Sequence, residues 1–210
     1  MLQDDKRLVA GSARGITHMA TALLLLAAGT TAASAAPVAA NQLNVQQIQA
    51  DANQLAQARQ LLSHADANVR SSALNKLLQS ENTALREMAY AVGFGSADDV
   101  ARAITLSHRF NEVQTLQITL NEGDGGKAEQ LRRSLGGVMN VTVRSYNEVN
   151  GRFEVRNFGG SHNGYGEVAG LQVSLSQNAC SAKFELNDVS ELSGSVTCAG
   201  VTLPATIDLF

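Results

Sequence analysis

The sequence predicts an α+β protein in which a short N-terminal helical repeat precedes an antiparallel β sandwich or open barrel with one disulfide. Three observations lead there. Between residues 42 and 108 the apolar side chains recur at three- and four-residue steps, the helical period. After Phe110 they alternate one by one, the period of a half-buried strand. Cys180 and Cys198 are the only cysteines in 210 residues. The expected organisation is a leader over 1–35, a helical segment over 36–108 and a β domain over 109–210.

The leader rests on three adjacent compositions. Residues 1–18 carry Lys6, Arg7 and Arg14, an apolar run follows from Met19 to Ala28, and small residues end in Ala33-Ser34-Ala35. These are the parts of a secretory signal peptide, with cleavage expected between Ala35 and Ala36. The apolar run is too short for a bilayer, which takes roughly 20 residues. A periplasmic or secreted protein is expected, not integral to a membrane once the leader is removed. The leader holds three of the 16 basic and two of the 19 acidic residues, so the remainder has a net charge of −4. Nucleic-acid binding runs on phosphate neutralisation by clustered Lys and Arg, and no such cluster is present. Aromatic residues are 4% of the chain with no Trp, a poor supply for a carbohydrate-binding surface.

In the helical segment, Val45, Ile48, Ala52, Leu55 and Leu62 share one helix face and glutamines solvate the other. Asp66-Ala67-Asn68 supplies a break and a cap. Two similar stretches follow, sixteen residues apart: Val69-Arg70 leads to Ala73, Leu74, Leu77 and Leu78, and Leu85-Arg86 leads to Met88, Ala89 and Val92. Each comes after a polar break containing Asn68 or Asn82. Over residues 66–95 this pattern resembles HEAT-like helical repeats, in which short helices stack because none buries enough surface alone. Gly93 or Gly95 suits a left-handed C-cap, and Ser96 an N-cap. Asp98 and Asp99 fit the positive first turn of a last helix, a simpler role than metal ligation.

In the β domain, Leu116, Ile118 and Leu120 face one way and Gln117 and Thr119 the other. A helix is expected over 127–135, where Ala128, Leu131 and Leu135 share a face. Asn150-Gly151 marks a tight hairpin turn between strands near 138–149 and 152–158. Further strands are expected near 167–176, 180–186, 193–198 and 201–209, seven in all with the first. In an exported chain the two cysteines, with seventeen residues between them, are expected to form a disulfide across neighbouring strands. Phe210 ends the chain as in bacterial outer-membrane barrels. The apolar set before it is Leu209, Ile207, Ala205, Leu203 and Val201, one register out, so the last strand reads as a soluble sandwich edge.

No G-x-S-x-G, H-E-x-x-H or phosphate-cradling loop occurs. No catalytic residue, metal ligand or cofactor is therefore expected. The acidic loops 121–126 and 187–192 lack the alternating carboxylates of a calcium loop. The Gly-rich loop 159–166 is the candidate ligand-binding feature, through His162, Asn163 and Tyr165. The expected function is non-enzymatic binding of a protein or cell-envelope component, with the helices as a docking or spacing module. The alternatives are a hydrolase with an unfamiliar site near His162, or a structural component assembling through exposed sheet edges.

Overall fold

The computed structural model describes residues 44–160 and 162–209; the expected leader over 1–35 lies outside the described residues. Four helices come first: α1 (Val45–Leu62), α2 (Ala67–Leu78), α3 (Thr83–Phe94) and α4 (Asp99–Glu112). Each begins on a side-chain cap. Asn44, Asp66, Asn82 and Asp98 accept first-turn amides that have no partner inside the helix. The last three caps are sixteen residues apart and are held alike. The amides of Asp66, Asn82 and Asp98 donate to His64 Nδ1, Ser80 Oγ and Ser96 Oγ at 3.0, 3.2 and 3.1 Å. Four residues past each cap stands an arginine. Arg70 and Arg86 donate back to the carbonyls of His64 and Ser80, whereas Arg102 turns outward to the β structure.

Two local expectations change here. The cap of α4 is Asp98, and Ser96 serves only to orient it. Gly95 ends α3 at φ −77°, outside the left-handed region. Gly93 lies inside α3, where a Cβ would strike the Thr105 side chain of α4. Close helix crossing explains this glycine. The helical segment also runs on to Glu112, past the expected boundary at 108. No helix among the described residues is long and apolar enough to cross a membrane.

The β structure comprises β1 (Thr115–Leu120), β2 (Val138–Asn147), β3 (Arg152–Arg156), β4 (Gly164–Ala169), β5 (Gln172–Gln177), β6 (Cys180–Leu186), β7 (Leu192–Cys198) and β8 (Val201–Ile207). A fifth helix, α5 (Gly126–Ser134), follows β1. Every strand pairs antiparallel with its sequence neighbour, and β1 pairs with β8 through Ile118–Ile207, Thr119–Thr206 and Leu120–Ala205. The sheet is a closed barrel, which corrects the expected sandwich or open barrel. Alternation in the sequence specifies an inner and an outer face but not whether the two edge strands meet. Closure makes β8 an internal strand, not an edge, and removes the free edges on which edge-to-edge assembly depends.

Turn chemistry accounts for the remaining differences. The segment expected as one strand near 167–176 is two, folded at Gly170-Leu171, with Ala169 opposite Gln172. Gly170 has φ +61° and Leu171 does not share the positive sign, as a type II′ hairpin requires. Between β2 and β3 the turn is longer than expected. Asn147 pairs with Arg152, so four residues form the loop and only Gly151 (φ +68°) is left-handed. Its carbonyl accepts the Val168 amide at 2.8 Å, and a Cβ there would strike the Val168 carbonyl. Cys180 lies directly opposite Cys198 on β6 and β7, and the two are disulfide-bonded with Cα atoms 4.1 Å apart.

Inward-facing residues fill the barrel. Ile118, Val141, Phe153, Val155, Leu175, Phe184, Val196 and Leu203 are each at most 2% exposed. An eight-stranded barrel is just wide enough for such side chains. The wall is polar outward, through residues such as Arg152, Glu167, Lys183 and Glu185, the reverse of a membrane-spanning barrel. α4 covers the mouth where β2 and β6 end. Phe110 packs on Phe153 with centroids 5.3 Å apart, and Arg102, only 6% exposed, donates to the carbonyls of Leu186 and Asn187 at 2.9 and 2.6 Å. Arg109 donates to the Leu209 carbonyl at 2.6 Å. Phe158 lies buried near the disulfide end of the barrel. Helices and barrel share one contiguous core, and the described residues fall within a single compact unit.

Candidate functional site

The Gly-rich loop is built around Gln177. This side chain is 2% exposed at the end of β5. Its Oε1 accepts the amides of Phe158 and Gly159 at 2.7 and 3.0 Å, and its Nε2 donates to the carbonyls of Gly160 and His162. One amide group therefore satisfies four backbone groups that have left the strand ladder. A Cβ at Gly159 would strike Cys180, one at Gly160 the Asn178 side chain, and one at Gly164 Gln177 itself. Close packing within the protein accounts for these glycines.

The three candidate binding residues are placed differently. His162 is exposed and anchored through its carbonyl. Asn163 is exposed, and its Oδ1 accepts from Arg156 Nε at 2.9 Å. Tyr165 stands on the outer face of β4, 68% exposed. It lines a depression of about 440 Å³ in the barrel wall with Arg152, Glu167, Ser176, Ser181 and Lys183. His162 and Asn163 are not among the lining residues.

Strand register organises that wall into rows. Tyr165 is opposite Ser176, Ser176 opposite Ser181, Ser181 opposite Thr197, and Thr197 opposite Thr202. One step along the strands, Arg152 is opposite Glu167, Glu167 opposite Ser174, and Ser174 opposite Lys183. A second depression of about 470 Å³, shared through Glu167, Ser174 and Lys183, continues past Glu185 and Ser193. The two form one open trough. Arg152 and Lys183 balance Glu167 and Glu185, so the trough is polar without net charge.

A second group of polar residues gathers on the helical side. Arg86 Nε lies 3.3 Å from Glu112 Oε1, and Arg109 stands over the Tyr90 ring at 5.3 Å. Burial first, and then the Glu112 carboxylate, hold the Tyr90 phenol well above its ordinary range. A neighbouring cleft of about 470 Å³ is lined by Gln79, Glu81, Arg86, His108, Asn111 and Glu148. Its polar side chains are already engaged: Asn111 donates to Glu148, and His108 Nε2 is 2.7 Å from Asn75 Oδ1. Among the described residues no group of three or more His, Cys, Asp or Glu is arranged to hold a metal ion.

Sequence reasoning singled out Tyr165 but missed Arg152, Glu167, Lys183 and Glu185. Their signal was present as the outward half of the alternation in β3, β4 and β6. Alternation says only that these residues face out; register puts them side by side. No family model, no curated protein and no solved structure matches this chain.

Proposed function

We propose that this chain is an exported, non-enzymatic binding protein that contacts a protein or cell-envelope component through the wall of its barrel. The observation that carries this reading is Tyr165, a large ring left 68% exposed on a rigid strand inside the trough. Aromatic anchors on rigid elements dominate binding surfaces, and holding such a ring in water has no evident role in folding. The barrel interior is filled and one mouth lies under α4, so the wall is the surface open to exchange. Export to a periplasmic or extracellular space accords with the disulfide and with the leader composition of residues 1–35.

In this reading α4 covers one mouth of the barrel, and the helices stacked on it are not a separate docking arm. α2, α3 and α4 are read as three copies of one sixteen-residue unit, each with a cap, an acceptor two residues before it and an arginine four residues after it. Buried residues recur at the same interval, Leu74, Tyr90 and Leu106 in one set and Leu78, Phe94 and Phe110 in another. In the last copy the arginine bonds the barrel instead of its own turn.

A photo-crosslinking residue at position 165, expressed in the native host, tests the proposal. The expected result is one dominant adduct that is missing when the same residue replaces Val189, which is 78% exposed on another loop. Equal adducts from both positions, or none from 165, would overturn it.

A further inference from the structure

We infer that the trough takes a linear, uncharged glycan, laid along β4, β5 and β6 with one sugar ring stacked on Tyr165; this inference rests on the barrel wall being the binding surface. Four observations select that class. The lining carries Arg152 and Lys183 against Glu167 and Glu185, so it offers no net attraction to a polyanion or a polycation and presents both donors and acceptors to a neutral polar chain. Its outward residues are mainly hydroxyls, charges and the Gln172 amide, and Ala169 is too small to anchor an apolar peptide. The trough is open and continuous over two depressions of about 440 and 470 Å³, a shape for a segment of a polymer and not for an enclosed small molecule.

The fourth observation is the ring at one end of the trough. Tyr165, Ser176 and Ser181 stand opposite one another in the first depression, and Glu167, Ser174, Lys183 and Glu185 continue the polar lining from there. Composition argued against a carbohydrate surface because exposed aromatic rings are scarce. Tyr165 is the one well-exposed tyrosine or phenylalanine among the described residues, and it lies in the first of the two depressions and not in the second. A sugar's C–H face stacks on such a ring while its hydroxyls exchange hydrogen bonds with Glu167, Arg152 and Lys183.

The test titrates the full mature chain with chitotetraose, cellotetraose and maltotetraose, each followed by amide chemical shifts. At least one oligomer is expected to bind, with shifts concentrated at 165–167, 174–176 and 181–183. Tyr165→Ala should weaken that binding at least about tenfold, as truncation of an aromatic anchor does, while Tyr165→Phe keeps the stacking ring and most of the affinity. Both variants alter an exposed side chain, and the unperturbed shifts of the barrel interior report that they fold. No shift with any of the three oligomers, or binding indifferent to Tyr165→Ala, overturns the glycan assignment. A protein adduct from position 165 that survives saturating oligosaccharide also overturns it while leaving the binding surface standing. Loss of both glycan binding and the crosslink removes the two readings together.

Discussion

Gln177 shows how much one buried side chain can organise. Four backbone groups of the loop have no strand partner, and leaving such groups dry and unpaired costs about 1–3 kcal/mol for each group lost in this way. Local relaxation and water recover part of that when the side chain is cut back. Gln177→Ala should therefore lower stability by about 2 kcal/mol, read as a shift of the urea midpoint. Amide exchange at Phe158 and Gly159 should speed up while the other barrel amides stay protected. Unchanged exchange at those two amides would mean that the loop is held by something else. Tyr90 yields a pH prediction of definite sign. Its folded pKa lies above the unfolded value of 10.0, so above pH 10 the unfolded chain loses the phenolic proton first. Stability contributed by the neutral phenol is fully present below that pH and falls as pH rises beyond it. Urea midpoints measured from pH 8 to 11 should decline less steeply in Tyr90→Phe than in the native protein; equal slopes would refute the burial argument.

The β6–β7 hairpin and its disulfide test how much a staple adds to a ladder. Seven residue pairs, from Cys180–Cys198 to Leu186–Leu192, already hold these strands in register. In the chain-entropy picture a loop of this size contributes about 3 kcal/mol by restricting the unfolded chain. Replacing both cysteines with alanine should thus reduce stability by up to about 3 kcal/mol while leaving the barrel fold and its chemical shifts intact. A double variant that no longer forms the barrel would show that the bond, and not the ladder, holds the closure. Among the first four helices, α4 carries most of the contact with the barrel, beside the Ser190 hydroxyl bonded to the Phe94 carbonyl of α3. Phe110 fills the mouth and Arg102 satisfies two carbonyls at the β6–β7 turn. α1 is the opposite case: from Val45 to Gln57 nearly every residue is exposed, including Ile48 at 51%. Its first turns lean only on the Asn44 cap and local hydrogen bonds.

A shared core makes the molecule one cooperative unit. Helical residues such as Tyr90, Phe94 and Phe110 join the same buried cluster as Phe153, Val173 and Ile207. The expected boundary at 108/109 falls inside α4, and the change from helix to strand after Glu112 does not separate two cores. Phe110→Ala removes a fully buried ring at the junction and should cost about 3–5 kcal/mol. In that variant, as in the native chain, helical ellipticity and the near-ultraviolet tyrosine signal should be lost in a single coincident transition. Two separated midpoints would mean that helices and barrel fold independently, and the capping role of α4 would go with that result.

What could be read from residues in order was whatever depends on near neighbours in the chain. Helical spacing, the Asp66 cap, the inward set Leu116, Ile118 and Leu120, and a disulfide between adjacent strands all follow from steps of a few residues or from a lone pair of cysteines. The Gly170 turn was hidden because it sits within an apolar alternation that reads through as one strand. Barrel closure could not be reached this way: it depends on β1 meeting β8, at opposite ends of the β domain. The same holds for Arg102 on Leu186 and for the row that sets Tyr165 beside Ser176 and Ser181. A period of two tells each residue which side of the sheet it takes, whereas its neighbours across the strands are chosen by register and by how many strands complete the circle.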